Sequence, residues 1–219
     1  MFRLISLVLI TLVTVACNGE EGGADTGEPA GKPASKKQVE AALQKGLAWL
    51  RGQADDQGRY SMTMQGGNVP NPGYTALALT PILKSLPKDE RAPDALVKKS
   101  TAYLMRFQRE DGAIASDDFK GYENYLTAAT VMALGALDDP ANAGAMKKMA
   151  DFLLGLQRTE AGRHQGGFGY NKRGGADLSN AQFTIEALRT AGIPEDHPAM
   201  VRARAYLSRV QNRSENAEN

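Results

Sequence analysis

Two kinds of apolar pattern alternate along the chain. From Lys36 to Gln53, Val39, Ala42, Leu43, Gly46, Leu47 and Leu50 fall on one face at helical spacing, with Lys, Gln and Glu opposite. That pattern predicts an amphipathic helix with water on one side. From Tyr74 to Leu86, by contrast, Ala76, Leu77, Ala78, Leu79, Ile82, Leu83 and Leu86 leave almost no polar face, which predicts a helix buried all round. Pro81 should kink that helix or start its regular part. The alternation continues with 92–108 (amphipathic), 122–137 (apolar nearly throughout), 143–157 (amphipathic) and 178–191 (apolar at most positions). A seventh, amphipathic stretch runs over 198–213, with Pro198 suited to its first turn. The Gly-rich and polar run 55–73, ending in Asn71-Pro72-Gly73, reads as a loop, and strand signals are nearly absent. The simplest geometry for the alternation is two layers, with exposed outer helices around buried inner ones.

The outer helices also end alike. Trp49-Leu50, Tyr103-Leu104, Phe152-Leu153 and Tyr206-Leu207 place aromatic anchors 54, 49 and 54 residues apart, a period that means stacked supersecondary units. Gln108 is followed by Gly112, Gln157 by Gly162, and in the first unit Ala54 stands where Gln would be, ahead of Gly58-Arg59-Tyr60. Each Gln-to-Gly turn is expected to link an outer helix to its inner partner. Paired helices with an aromatic-Leu end, then Gln, three residues and Gly, resemble the repeat of terpenoid cyclases and protein prenyltransferases. Gln108 to Gly112 is similar to that family's Gln-and-Trp motif, with Tyr60 and Ile114 in place of the terminal Trp. Gly167-Phe168 fits the same slot after an insertion. The resemblance spans residues 37–213 and implies an all-α fold, a partial α/α toroid of about three and a half helical hairpins. The family's rings close with about six hairpins. An open arc would expose apolar flanks for a protein partner, or a homodimer would complete the ring.

Composition changes the picture mainly at the N-terminus. Arg3 precedes thirteen uncharged, mostly apolar residues, Leu4 to Ala16, and then Cys17, the only cysteine. Thirteen helical residues span roughly 20 Å, short of the ~30 Å hydrocarbon core, so residues 1–17 read as a signal segment. Thr14-Val15-Ala16-Cys17 resembles a bacterial lipobox. The resemblance implies lipidation at Cys17, a membrane partner through the lipid chains, and a periplasmic-side location. Asn18 in place of Asp points to the outer membrane. Residues 18–35 hold no large apolar side chain and read as a flexible tether. A repeat domain over 36–213 and a disordered tail over 214–219 complete the expected organisation. Without Arg3 the chain has 25 basic and 25 acidic residues and no block of like charge, so nothing points to nucleic acid. One cysteine excludes a disulfide framework and a Cys-based zinc site.

Candidate chemistry is sparse. Asp177-Leu178-Ser179-Asn180 is the place most similar to the acid motif with which squalene-type cyclases protonate their substrate, and only its first carboxylate is present. Neither a hydroxyl nor an amide supplies a strong acid. The only histidines, His164 and His197, and the pairs Asp55-Asp56, Asp117-Asp118 and Asp138-Asp139 give no workable metal-ligand spacing. No metal or cofactor is therefore expected. Glu123 and Asp177 stand at matching inner-helix starts and are the best available catalytic pair for a carbohydrate-active or cyclase-type enzyme. Helix capping accounts for them as well. Tyr74, Tyr122, Asn124, Tyr125, Asn180 and Gln182 should converge at one mouth of the arc, with Tyr170 on a glycine-rich loop, 162–176, able to cover it. Such a mouth suits a glycan, a lipid or an anionic head group. The overall expectation is a non-catalytic binding or scaffold module, with an enzyme on the same scaffold as the alternative.

Overall fold

In the computed structural model, residues 33–64 and 66–211 are described. Cys17, the segments 1–17 and 214–219, and all but the last three residues of the expected tether lie outside them. The described elements are α1 (Lys36–Gln53), β1 (Ser61–Met64), β2 (Gly67–Pro70), α2 (Pro72–Ser85), α3 (Lys88–Arg91), α4 (Ala95–Met105), α5 (Glu123–Leu137), α6 (Ala143–Leu154), α7 (Leu178–Thr190) and α8 (Pro198–Val210). Two single 3-10 turns, Asp117–Phe119 and Pro140–Asn142, precede α5 and α6.

Local chemistry sets the helix starts. Ser35 and Gln38 form a reciprocal capping box at α1. Asn71, Asp94 and Asp177 accept from the third N–H of α2, α4 and α7. Each such bond satisfies a donor that the helix cannot pair internally.

The inner helices α2, α5 and α7 lie side by side with α5 in the middle. The outer helices back onto them, α4 on α2, α6 on α5 and α7, and α8 on α7. The all-α, two-layer toroid-like arc expected from the alternation is present. Leu134, Leu153, Leu156, Phe168 and Leu188 fill the larger core between α5 and α8. Leu79, Leu83, Leu104 and Ala133 fill a second between α2, α4 and α5. Each large side chain fully withdrawn from water there contributes about 1.5–3 kcal/mol.

The repeated turns interlock neighbouring units. Gly58, Gly112 and Gly166 all have positive φ (72°, 89° and 86°), and each presses its Cα against the next outer helix. A Cβ would strike Lys99 and Ser100 of α4 at the first position, Lys148 of α6 at the second and Arg202 of α8 at the third. Tyr60, Ile114 and Phe168 each stand two residues later and are buried. The side chain of Gln108 donates to the Ala145 carbonyl at the start of α6 (3.2 Å). Gln157 donates to Ala199 at the start of α8 (2.7 Å) and to Gly166 (2.9 Å), and accepts from Arg202 Nε (2.9 Å). Thus Gln and Gly of one unit clamp the outer helix of the next.

Several expectations are corrected. The 55–73 loop contains the β1–β2 hairpin, paired from Ser61–Pro70 to Met64–Gly67. All four β1 residues are exposed, so no buried face imposes a period-two pattern. The 92–108 helix is shorter: Ala92 still has helical dihedrals, but Pro93 has no N–H to extend α3, and Asp94 (ψ 128°) leaves helical geometry and caps a new helix. Pro81 sits inside an uninterrupted α2, donating no bond to the Leu77 carbonyl. The third-unit glycine is Gly166 rather than Gly162, displaced by the inserted residues. In α7, Leu178, Gln182, Glu186 and Arg189 are exposed, because among the described residues α7 has no inner helix on its far side. Among the described residues Trp49 is not a buried anchor. It is 63% exposed, against 6%, 8% and 3% for Tyr103, Phe152 and Tyr206. On the apolar face of α1 only Leu47 is buried, while Val39 and Leu43 stay more than half exposed.

Candidate functional site

The inner helices turn their remaining apolar side chains toward the concave side of the arc, where two cavities adjoin. The first, about 440 Å³, lies between Leu43 of α1, Leu77 and Pro81 of α2, Met132 of α5 and Phe183 of α7. Lys84, Gln182 and Glu186 stand at its rim. The second, about 400 Å³, is walled by Tyr74, Tyr122, Tyr125, Phe119 and Phe183, with Met62 and Met64 reaching in from the hairpin. Leu77 and Phe183 line both, so the two form one trough. Among the described residues, Asp118 is the only carboxylate lining the second cavity.

The tyrosines at the inner-helix starts come together there. Tyr122 and Tyr125 meet Tyr170 edge-on at 5.5 and 5.4 Å, and Tyr125 meets Phe183 at 5.0 Å. Tyr170 braces this cluster without lining either cavity. Gln182 belongs to the first cavity, separate from Tyr74, Tyr122 and Tyr125 of the second. The two asparagines have a different task. Asn124 is fully buried, its Nδ2 donates to the Gly169 carbonyl (2.7 Å), and Thr184 Oγ1 lies 2.8 Å from its Oδ1. Asn180, equally buried, donates from Nδ2 to Asp177 Oδ2 (2.6 Å). Neither amide faces the trough. The glycine-rich loop 162–176 is held by Arg158, whose guanidinium donates to the carbonyls of Asn171, Arg173 and Gly174.

Residues 97–210, from the first turn of α4 to the end of α8, match the squalene-hopene cyclase N-terminal domain. That is more than half of the chain. The chain belongs to this family. A cycloartenol synthase of Dictyostelium discoideum is 26% identical over 117 residues, which make up 53% of this chain and 16% of the synthase. The chain thus matches only about a sixth of that relative's length. The stretch matched to the squalene-hopene cyclase N-terminal domain contains both Gln-to-Gly clamps and leaves α1, the hairpin and α2 outside it.

Within this cyclase-type domain the two candidate acids are differently engaged. Asp177 caps α7, accepting from Asn180 N–H (2.9 Å), Asn180 Nδ2 and Ser179 Oγ (2.8 Å). Tyr125 O–H in turn donates to Ser179 (2.6 Å). Burial works to raise the Asp177 pKa, but the bonds from Asn180 and Ser179 outweigh it and hold the carboxyl below its usual value. A group so held is a poor proton donor. Glu123 accepts from Gly121 N–H through one oxygen (3.1 Å), while its other oxygen is buried without a partner. It lines neither cavity. Among the described residues, no group of three His, Cys, Asp or Glu side chains is placed to hold a metal ion.

Sequence reasoning did not find Leu43, Met62, Met64, Phe119 or Phe183 as trough residues. Phe183 carried a signal, because it directly follows Gln182 on an inner helix. The hairpin methionines carried none, since only the tertiary fold swings them over the trough.

Proposed function

We propose that the chain is a non-catalytic binding module of the bacterial envelope, whose concave trough holds an elongated apolar guest. The observation that carries this reading is the trough itself, two adjoining cavities lined mainly by apolar and aromatic side chains. The one matched position of the cyclase acid motif, Asp177, is tied into a helix cap. Volumes of about 400 Å³ fall within the usual range for small-molecule sites, and withdrawing apolar guest surface from water supplies the affinity. Lipidation of Cys17, a tether over 18–35 and an outer-membrane location would hold the trough near a lipid source.

The test is titration of the full chain with diphenylhexatriene, read by fluorescence. Saturable binding is expected, and Leu77→Asp, at a position already 42% exposed, should weaken it at least about tenfold without lowering the melting temperature. Absence of saturable binding by the unsubstituted chain would overturn the reading. An enzyme on this scaffold is the second reading, favoured by the orphaned oxygen of Glu123. Its check is turnover of polyprenyl or glycan substrates that Glu123→Gln abolishes.

A further inference from the structure

The two ends of the trough differ in chemistry. The first cavity carries both signs of charge at its rim, Lys84 and Glu186. The second presents five aromatic rings, from Tyr74, Tyr122, Tyr125, Phe119 and Phe183, two thioethers and one charged side chain, Asp118. Among the described residues no Lys or Arg lines it. Asp117 next door is occupied by Lys120 at 3.3 Å. Asp118 joins no ion pair among the described residues and lies on a 3-10 turn whose Phe119 is buried in the core, so the carboxylate is held at the cavity edge.

Aromatic faces attract cations through their negative quadrupole, and polarisable thioethers tolerate methyl groups closely. An unpaired carboxylate adds a Coulomb attraction and repels any anion. The Asn71 amide oxygen in its lining is engaged by Tyr74 N–H (3.0 Å), which leaves the phenol oxygens and Asp118 as acceptors, too few to replace the several waters of a bare ammonium group. The ligand chemistry fitting all of these is a cation clothed in methyl groups. We propose that the tyrosine-lined cavity binds the quaternary ammonium head of an amphiphile, whose alkyl tail runs past Leu77 and Phe183 toward Pro81 and Met132. This rests on the reading of the trough as an apolar binding site and adds the head group it selects.

The experiment is calorimetric titration of the full chain with octyltrimethylammonium, octanol, octanoate and choline. Octyltrimethylammonium is expected to bind about tenfold or more tightly than octanol, with octanoate weakest. Asp118→Asn, at an exposed position, should bring octyltrimethylammonium to within about threefold of octanol, the ratio of the two affinities being the readout. Equal binding of octanol and octyltrimethylammonium would overturn the head-group assignment and leave the apolar trough standing. Failure of every tailed ligand would overturn both. Choline binding as tightly as octyltrimethylammonium would overturn the tail's part in recognition.

Discussion

The first unit and the two that follow it share a period but not a mechanism of attachment. In the second and third units an amide side chain, Gln108 or Gln157, reaches across to the start of the next outer helix, and the aromatic anchors Tyr103 and Phe152 are buried. In the first unit Ala54 makes no such reach and Trp49 faces water. There the link to α4 is made instead by the Arg51–Asp94 ion pair (3.0 Å), by Ser100 donating to the Gly58 carbonyl (2.7 Å) and by Lys99 donating to the Asp56 carbonyl (2.8 Å). A repeat read from spacing therefore reports where helices end. Whether those ends are fastened depends on what packs next to them, and before α1 there is no described outer helix for Trp49 to meet.

The sharpest way to break this contrast is truncation of the anchors. Tyr103→Ala should cost about 3–5 kcal/mol, as for other large buried aromatics, whereas Trp49→Ala should stay within about 0.5 kcal/mol. Urea unfolding midpoints check both, and equal losses would mean that Trp49 is buried in solution. Next in size are the ties. Gln157→Ala, which strands the buried Gly166 carbonyl and removes the tie to Ala199, should cost about 2–3 kcal/mol, and Gln108→Ala, with one longer bond, about 1 kcal/mol. The contrast is sharpened by building the missing tie. Ala54→Gln should raise stability by about 0.5–1 kcal/mol if the amide reaches the carbonyls at the start of α4, visible as a higher melting temperature. An unchanged midpoint would show that the first unit is not equivalent in position.

Acid separates the two regions more gently. Burial works to raise the Asp94 pKa, but bonds from Val97 N–H and Arg51 overcome it, so the carboxyl lies below its usual 3.8. A depressed folded-state pKa contributes stability above the unfolded value, and that contribution is lost as pH falls through the folded one. Below about pH 3.8 the α1 amides should thus exchange with solvent faster, and those at the Gln157 tie, which carries no carboxylate, should change less. Hydrogen exchange across that window reads the difference, and Arg51→Ala should already show fast α1 exchange at neutral pH.

How much of this was legible in the chain follows from what each residue packs against. The helices of the arc were, because α5 is apolar all round and α6 on one side only, and those patterns are imposed by burial. The hairpin was not, because Ser61 to Met64 bury nothing. The division at Ala92–Asp94 was written in Pro93 but is masked by a continuous apolar periodicity on either side. Of the site, Tyr74, Tyr122 and Tyr125 could be placed together from their shared position at inner-helix starts. Asn124 and Asn180 share that position too, yet they point inward to hold a loop carbonyl and a cap. Side-chain direction within one helical turn separates the two groups, and position along the helix does not report it.

The glycine at each turn also acts as a gauge. Because Gly112 and Gly166 let one backbone approach another where no side chain intervenes, they set how steeply each hairpin leans on its neighbour. A methyl group at either would act as a wedge, spreading the outer layer and changing the bend of the whole array. The radius of the arc, and with it the width available to a guest, is in this sense specified by the smallest residues in the chain, at contacts with the outer layer.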